Sequence, residues 1–548
     1  MNQTGMWDSI NVFKKDCSNQ FEMIKAGLLP ESARFAAVIA AGAARTCYAP
    51  RVIILDHASY KTTPHPGVSE AILNATWAAG HNTTRLHHHY TFTLEGVSRQ
   101  VLWSFLHSHP FYNSEQVSQR YVAVKKGNAT IPATLSDRQR EIFESALEVT
   151  FQAYQELNGL LLEPVKEEFF QIFPARAKTK NEDKITAWES AIKKRAQEAS
   201  RYILPVATHA HLYHTISALT LLRLYMCADH FNVPTEQKEL VNAMVHAVIA
   251  VDPTFSVDLD NATRDRYPLE ESLEFKLHQQ YHGNRQQSVD QLARFRTEFD
   301  HDLGGKTSVL LDYGHNAERA LATAVRTVLQ VSRENLSDEQ AIDYLLNPAH
   351  NHAFANTNNI TTMTKLGSAL AAVSYTFAKK HSHSADSQNQ RHRMVPETAP
   401  IFYLGDEPDV VLPKINEQTP AAKKYFLDVC EQLWEFMHTL CHDGVSENDL
   451  QYLAPNAAVV RVVESGDLSD RHHKYTNRLC YNAQEEIWRE MVDEVLQITA
   501  VHPQIGKHLL PPCTLRMYAG ERPYCPEGSR FCGVPVWNLA VREYDRLI

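Results

Sequence analysis

"YTFTLEGVSRQVLWSFLHSHPFYNSEQVSQRY", residues 90–121, starts like a strand, passes a Ser-Arg pair and a stretch crowded with histidine, and ends on Ser118-Gln119-Arg120-Tyr121. A hydroxyl and a guanidinium two residues apart on one tight loop can supply charge-assisted hydrogen bonds to an anion. A lone Ser-x-Arg is more simply a surface loop with a helix-capping serine. What surrounds the stretch decides between these readings.

The strand start recurs. "YTF" at Tyr90 returns at Tyr375, "AARTCY" (Ala43–Tyr48) is echoed by "AVRTVL" (Ala324–Leu329), "RYILP" (Arg201–Pro205) by "QYLAP" (Gln451–Pro455), and "AVDP" (Ala250–Pro253) by "AVHP" (Ala500–Pro503). In chain order the separations are 281, 285, 250 and 250 residues. Nearly constant spacing that drops once is the mark of a duplication with a longer insert in the first copy. The first copy is expected over residues 1–300, with a helical insert at about 126–194 and a polar connection from Asp260 to Gly304. The second is expected over 305–548, opened by the strand–turn–helix pattern "SVLLDYGHNAERALATAVRTVLQ". "KKHSHSADSQNQRHR" (Lys379–Arg393) would ordinarily suggest a solvated loop, but the repeat sets it opposite Leu94–Pro110.

Composition bounds the function. A chain of 548 residues is too long for one ordinary core, and 44% hydrophobic with 22% charged residues is globular. Fifty-four basic against 64 acidic residues leave no global field for nucleic acid. The start has no apolar core of a secretory signal, the run Phe35–Ala44 is too short to span a bilayer, and nine cysteines suggest reduced thiols. A cytoplasmic protein is expected. Cys513, Cys525 and Cys532 with His508 could make a zinc site, but their spacing is not compact and buried free thiols are the preferred reading. No Walker loop, Rossmann fingerprint or zinc-protease helix is present.

With these motifs in place the sequence resembles the flavin-dependent thymidylate synthases. That family carries a Gly-His-x-Ser/Thr-x-x-Glu-His stretch, a Phe-Thr-Phe strand, and an Arg-His-Arg followed by Ser-x-Arg. The first copy matches through "GHNTTRLHHHYTFTLEGVSR", "SQRY" and "EASRYILP". The second matches through "SYTF", "QNQRHR", "GVSENDLQYLAP" and "RLCYNAQEEI", and the tail "LLPPC…YCPEGSRFCG" is similar to the ends of some members. The losses are complementary. His107-Ser108-His109 replaces Arg-His-Arg in the first copy, and Leu86 replaces the glutamate. In the second copy "MVPETAPIFYL" follows Arg393 with no Ser-x-Arg, and Gln451 stands where the first copy has Arg201. Gln388 is matched by Ser104, and Arg478 by Ala228. The family's Asn-x-Arg becomes Ser217-Ala218-Leu219 and Asp467-Leu468-Ser469.

The resemblance implies an α/β fold of the α+β type, with two tandem thymidylate-synthase-complementing-like domains, each a mixed sheet with packed helices. It implies FAD-dependent methylation of dUMP to dTMP, with methylenetetrahydrofolate and NADPH as co-substrates, at a composite site between the copies. Arg478 and Arg391 would be catalytic. Ser118, Gln119, Arg120, Arg201, Gln388, Arg391 and Arg478 would bind dUMP. Thr83, Ser368, Arg391, His392 and Arg393 would bind the flavin. It implies no metal, and a homodimer in which four copies mimic the family tetramer. Simpler readings stand beside these: Arg201 in a salt bridge with Glu198, Arg391–Arg393 as a solvated basic turn, and His87 as a packed histidine. The alternative class is a non-catalytic nucleotide- or flavin-binding relative, or a related pyrimidine C5-modifying enzyme.

Overall fold

The computed structural model describes residues 36–46, 66–107, 109–174 and 176–548. Residues 1–35 of the expected first copy, and Ser108, lie outside the described residues. In the first half α1 (Ala36–Thr46) and α2 (Pro66–Ala78) precede β1 (His89–Ser98), α3 (Arg99–His107), β2 (Tyr112–Gln116), α4 (Asp137–Ile172), α5 (Glu182–Ser200), β3 (His209–Ser217), α6 (Ala218–Met226) and α7 (Thr235–Val251). A connection follows as α8 (Phe255–Arg264), α9 (Leu273–His282) and α10 (Arg285–Leu303). The second half runs through β4 (Ser308–Tyr313), α11 (Ala317–Leu329), α12 (Asp338–Leu346), β5 (Ser374–Ser382), α13 (His383–Asn389), α14 (Pro420–His442), β6 (Val459–Asp467), α15 (Leu468–Arg478) and α16 (Glu485–Val501).

The α+β class and the tandem domains hold, with one correction: all strand pairs among the described residues are antiparallel, so the sheets are not mixed. The sheets run β1-β3-β2 and β4-β5-β6. In β1, Tyr90, Phe92 and Leu94 face the core at alternate positions, and a bulge after Glu95 seats Gly96 at φ 70°, where a side chain would be strained. The strand then stops at Ser98, whose Oγ accepts from the Val101 N–H at 3.0 Å and so opens α3. Ser382 does the same for α13 through the Ala385 N–H at 3.0 Å. "KKHSHSADSQN" is thus a buried strand and helix, as the repeat required, and not a solvated loop.

The halves interlock through a local twofold. Val206 N–H donates to the Ala454 carbonyl at 2.9 Å and Asn456 N–H to the Leu204 carbonyl at 2.8 Å. Tyr202 reaches across to Glu486, which also holds Ser382; Tyr452 reaches across to Glu236, which also holds Ser98. Below this seam α4 and α14 share one apolar core that includes Leu157, Leu161, Leu433 and Met437. The first half has the longer elements here, α4 of 36 residues against α14 of 23.

Inside the sheets the two halves differ in chemistry. Leu94, Leu221, Leu224, Leu240 and Met244 form an apolar core in the first. At the repeat separations the second half carries Lys379, Arg471, Lys474, Glu490 and Glu494, all buried. Lys379 Nζ lies 3.0, 2.9 and 2.6 Å from Glu464, Glu490 and Glu494. Arg471 reaches Glu464 at 3.0 Å, and Lys474 pairs with the same carboxylate. Burial opposes the Lys379 charge, yet the three carboxylates hold its pKa well above the usual lysine value. Arg471, Lys474 and Arg478 share one face of α15, so the ion network anchors the helix that presents Arg478.

Candidate functional site

The chain leaving β2 turns tightly at Ser118, whose carbonyl accepts from the Tyr121 and Val122 N–H groups at 3.1 Å. Its Oγ accepts from the Arg120 N–H at 3.3 Å. The Arg120 guanidinium leaves its own half: it donates to Glu198 at 2.7 and 3.2 Å and to the Asn482 carbonyl of the second half at 2.8 Å. Burial disfavours its charge, but Glu198 outweighs that and raises its pKa. The simpler alternative for Arg201, a salt bridge with Glu198, does not form. The Glu198 carboxylate serves Arg120, and Arg201 Nε donates only to the Glu198 main-chain oxygen at 3.3 Å. The Gln119 side chain is fully engaged in the seam, donating to Thr208 at 2.9 Å and accepting from Asn456 at 3.2 Å.

The second half supplies the opposite wall. Just past α13, Arg391 pairs with Glu115 at 2.9 Å, and Arg393 donates to Asn113 at 3.1 Å with its guanidinium over the Tyr112 ring. The Arg391–Arg393 turn therefore docks on β2 of the first half. Arg478 donates to the Gln388 carbonyl at 3.1 Å, while Gln388 Oε1 accepts from the Gln484 N–H at 3.2 Å. Arg120 and Gln388 thus hold the same turn, residues 482–484. Burial, and then the charges of Arg391 and Arg120, push the Arg478 pKa down to about 9, and its Nε is buried with no hydrogen-bond partner. His392 is half-buried, with a buried and unpartnered Nε2. Burial and the nearby Arg478 and Lys474 hold it well below the usual histidine range, so it is neutral at pH 7. Arg120 and Arg391 each have a carboxylate partner, whereas Arg478, beside both, has none, a cost that an anion would relieve.

The structure brings Ser118, Arg120, Arg391, His392, Arg393, Gln388 and Arg478 to one region, with Gln119 and Arg201 behind it in the seam. It does not bring Thr83 or Ser368 there. Thr83 is exposed on the turn Asn82–His87, and Ser368 is exposed in a groove along α11 beside Arg319 and Thr323. His87 is exposed, and the packed histidine of that run is His88. The positions matching Asn-x-Arg cap helices: Ser217 accepts from the Thr220 N–H, and Asp467 from the Asp470 N–H.

The counterpart region, around Gln451, is nearly closed. Gln451, Trp103 and His383 line a cavity of about 90 Å³ closed by Leu292, Phe295 and Arg296 of α10. That is far below the roughly 300–1,000 Å³ of small-molecule pockets. In the tail, Cys480 joins Cys513, Cys525 and Cys532. Burial first, and then neighbouring cysteines, push the Cys480 thiol up to about 11. His508 faces Asp343 at 3.7 Å instead. The cysteines among the described residues are free thiols.

Asn482 and Gln484 escaped the sequence reading, which had set Glu198 beside Arg201 and not Arg120; the equal 250-residue offset of Glu236 and Glu486 is the signal that could have placed the segment 482–486 in the seam.

The family model described as "Thymidylate synthase complementing protein" matches residues 36–254 and 309–504, one stretch in each half. The chain is 27% identical to the flavin-dependent thymidylate synthase of Clostridium tetani over 217 residues, 39% of this chain and 78% of the relative. It is 27% identical to the enzyme of the same name from Geobacter sulfurreducens over 171 residues, 30% of this chain and 71% of the relative. The enzyme of that name from Saccharolobus solfataricus is 29% identical over 150 residues, 26% of this chain and 55% of the relative. With both halves matched on the same strand, helix and seam elements, the chain belongs to the thymidylate synthase complementing protein family.

Proposed function

We propose that this chain methylates carbon 5 of dUMP in a flavin-dependent reaction, with methylenetetrahydrofolate and NADPH, at one composite site per chain. The observation that carries the reading is Arg478: a half-buried guanidinium with a buried, unpartnered Nε and no carboxylate partner, placed among the charges of Arg120 and Arg391. A nucleotide phosphate is the anion that would relieve it. In this reading Ser118 and its turn offer a hydroxyl to the phosphate. Arg478 and Arg391 bind and orient the nucleotide, and Gln388 holds the turn that shapes its pocket. Arg120, whose charge Glu198 already balances, adds one donor and fixes the Ser118 loop.

The flavin fits in part. Arg391, His392 and Arg393 offer cationic groups and a neutral imidazole with an unpartnered nitrogen. Bound FAD would supply the hydride transfer that no side chain can perform. Thr83 and Ser368 lie apart from this turn, so in the proposal they meet a flavin shared with a second chain, in a homodimer of four copies. The helix-capping roles of Ser217 and Asp467 favour a second reading, a nucleotide-binding relative with no flavin chemistry.

Titration calorimetry with dUMP, together with visible absorbance of the purified chain, tests this. One dUMP per chain and a bound-flavin spectrum are expected. Two equivalents per chain would mean that the counterpart region still binds, and no binding at all would remove the proposal. Nucleotide binding by a colourless protein that takes up no FAD would favour the second reading.

A further inference from the structure

His107 stands where the family has the first arginine of Arg-His-Arg, and its ring enters the second half. Its Nδ1 is 3.0 Å from Gln390 Oε1, an atom that only accepts, so Nδ1 carries the ring proton and Nε2 presents a lone pair. That Nε2 lies 3.2 Å from Asp386 Oδ2 and 3.3 Å from Glu397 Oε1. Three electron-pair donors face one point, on side chains 3%, 0% and 5% exposed. His381 Nε2 stands outside this cluster, 3.5 Å from the other oxygen of the same carboxylate, Asp386 Oδ1.

The spacing distinguishes two occupants. An imidazolium shared by two carboxylates would draw them to about 2.7–2.9 Å. A tetrahedral ion with bonds of about 2.0–2.1 Å holds its ligands roughly 3.3–3.4 Å apart. The observed 3.2 and 3.3 Å match the second. Each ligand also has an outer partner that fixes its orientation, as metal ligands require. Gln390 holds His107, Asn389 donates to Glu397 Oε2 at 2.7 Å, and the Trp103 indole donates to Asp386, whose other oxygen faces His381.

We propose that His107, Asp386 and Glu397 bind a divalent transition ion, zinc first, that ties the first half, through His107, to the second. Three protein ligands leave the fourth position of a tetrahedral ion to a water. One imidazole and two carboxylates with no thiolate suit zinc, and manganese or cobalt less well. The site is independent of the proposed nucleotide site.

The test is the metal content of the full chain, purified without a polyhistidine tag. One zinc equivalent is expected that folded His107→Ala and Glu397→Gln each lose and that Cys525→Ser keeps. X-ray absorption at the zinc edge of the wild-type chain should show a nitrogen and oxygen shell for that equivalent, and needs no variant to fold. Chelator-stripped wild type should regain its melting temperature with zinc chloride. A wild-type chain that neither holds nor takes up zinc, cobalt or manganese overturns the proposal. So does a shell of sulfur alone, or full metal retention by folded His107→Ala; the histidine is then a protonated bridge between two carboxylates.

Discussion

Replacing Arg478 by methionine should change the free and the nucleotide-bound protein in opposite senses. Methionine keeps an unbranched stem in the space at the end of α15 and removes the charge. In the free protein the substitution deletes one hydrogen bond, to the Gln388 carbonyl, worth about 0.5–1.5 kcal/mol. It also removes a buried Nε without a partner, and with it the burial cost and then the repulsion from Arg391 and Arg120 that hold the group down to about 9. These contributions oppose each other, so the free chain should lose no more than about 1 kcal/mol and can gain. Binding of dUMP loses a charge-assisted contact of about 1.5–3 kcal/mol, a roughly 10- to 150-fold weaker Kd. Deoxyuridine, which lacks the phosphate, should bind the variant and the wild type alike. Calorimetric unfolding gives the first quantity, and titration with the two ligands gives the second. A variant that unfolds several degrees lower, and weakens nucleotide and nucleoside equally, would show that Arg478 props up the turn at 482–484 and does not serve an anion.

Arg120→Ala should weaken dUMP by a similar 1.5–3 kcal/mol and also destabilise the free chain, because Glu198 is left buried without its partner. Urea unfolding separates the two effects, and an unchanged stability would contradict the Glu198 pairing. Lys379→Met leaves three carboxylates around a vacated ammonium and should cost about 3–5 kcal/mol in urea unfolding. Adding the first half's residues at Glu464, Arg471, Lys474, Glu490 and Glu494 should recover most of it, and a loss below about 1 kcal/mol for the single change would refute the network's role. His214 is buried between Phe105 and Tyr112, and burial lowers its pKa to about 3. The unfolded chain binds its proton near 6.5 and the folded chain does not, so its stability contribution is complete above that pH and falls as pH drops toward 3. His214→Phe should therefore shift the acid-unfolding midpoint to lower pH, and an unchanged midpoint in a pH-ramped melt would contradict this.

The duplication and the family were legible along the chain because their signals are local: a strand that stops at a capping serine, then ordered echoes at nearly constant spacing. Complementary loss of Ser-x-Arg and Arg-His-Arg was legible for the same reason. Tertiary structure alone decided what each arginine faces. Arg120 is two residues from Ser118, but its carboxylate is 78 residues away and its carbonyl partner 362 residues away. Glu198 adjoins the Arg201 region in sequence yet serves Arg120, because the seam buries Arg201 and leaves Arg120 the better reach. The polar run from Lys379 looked solvated by composition, since the carboxylates that neutralise Lys379 come from β6 and α16, one of them 111 residues on. Burying a lysine is tolerable only when the fold delivers its counter-charges. The sequence determined that two copies share one scaffold. Packing across the seam determined which side chains of the two halves meet, and that α10 covers the cavity beside Gln451 and Trp103.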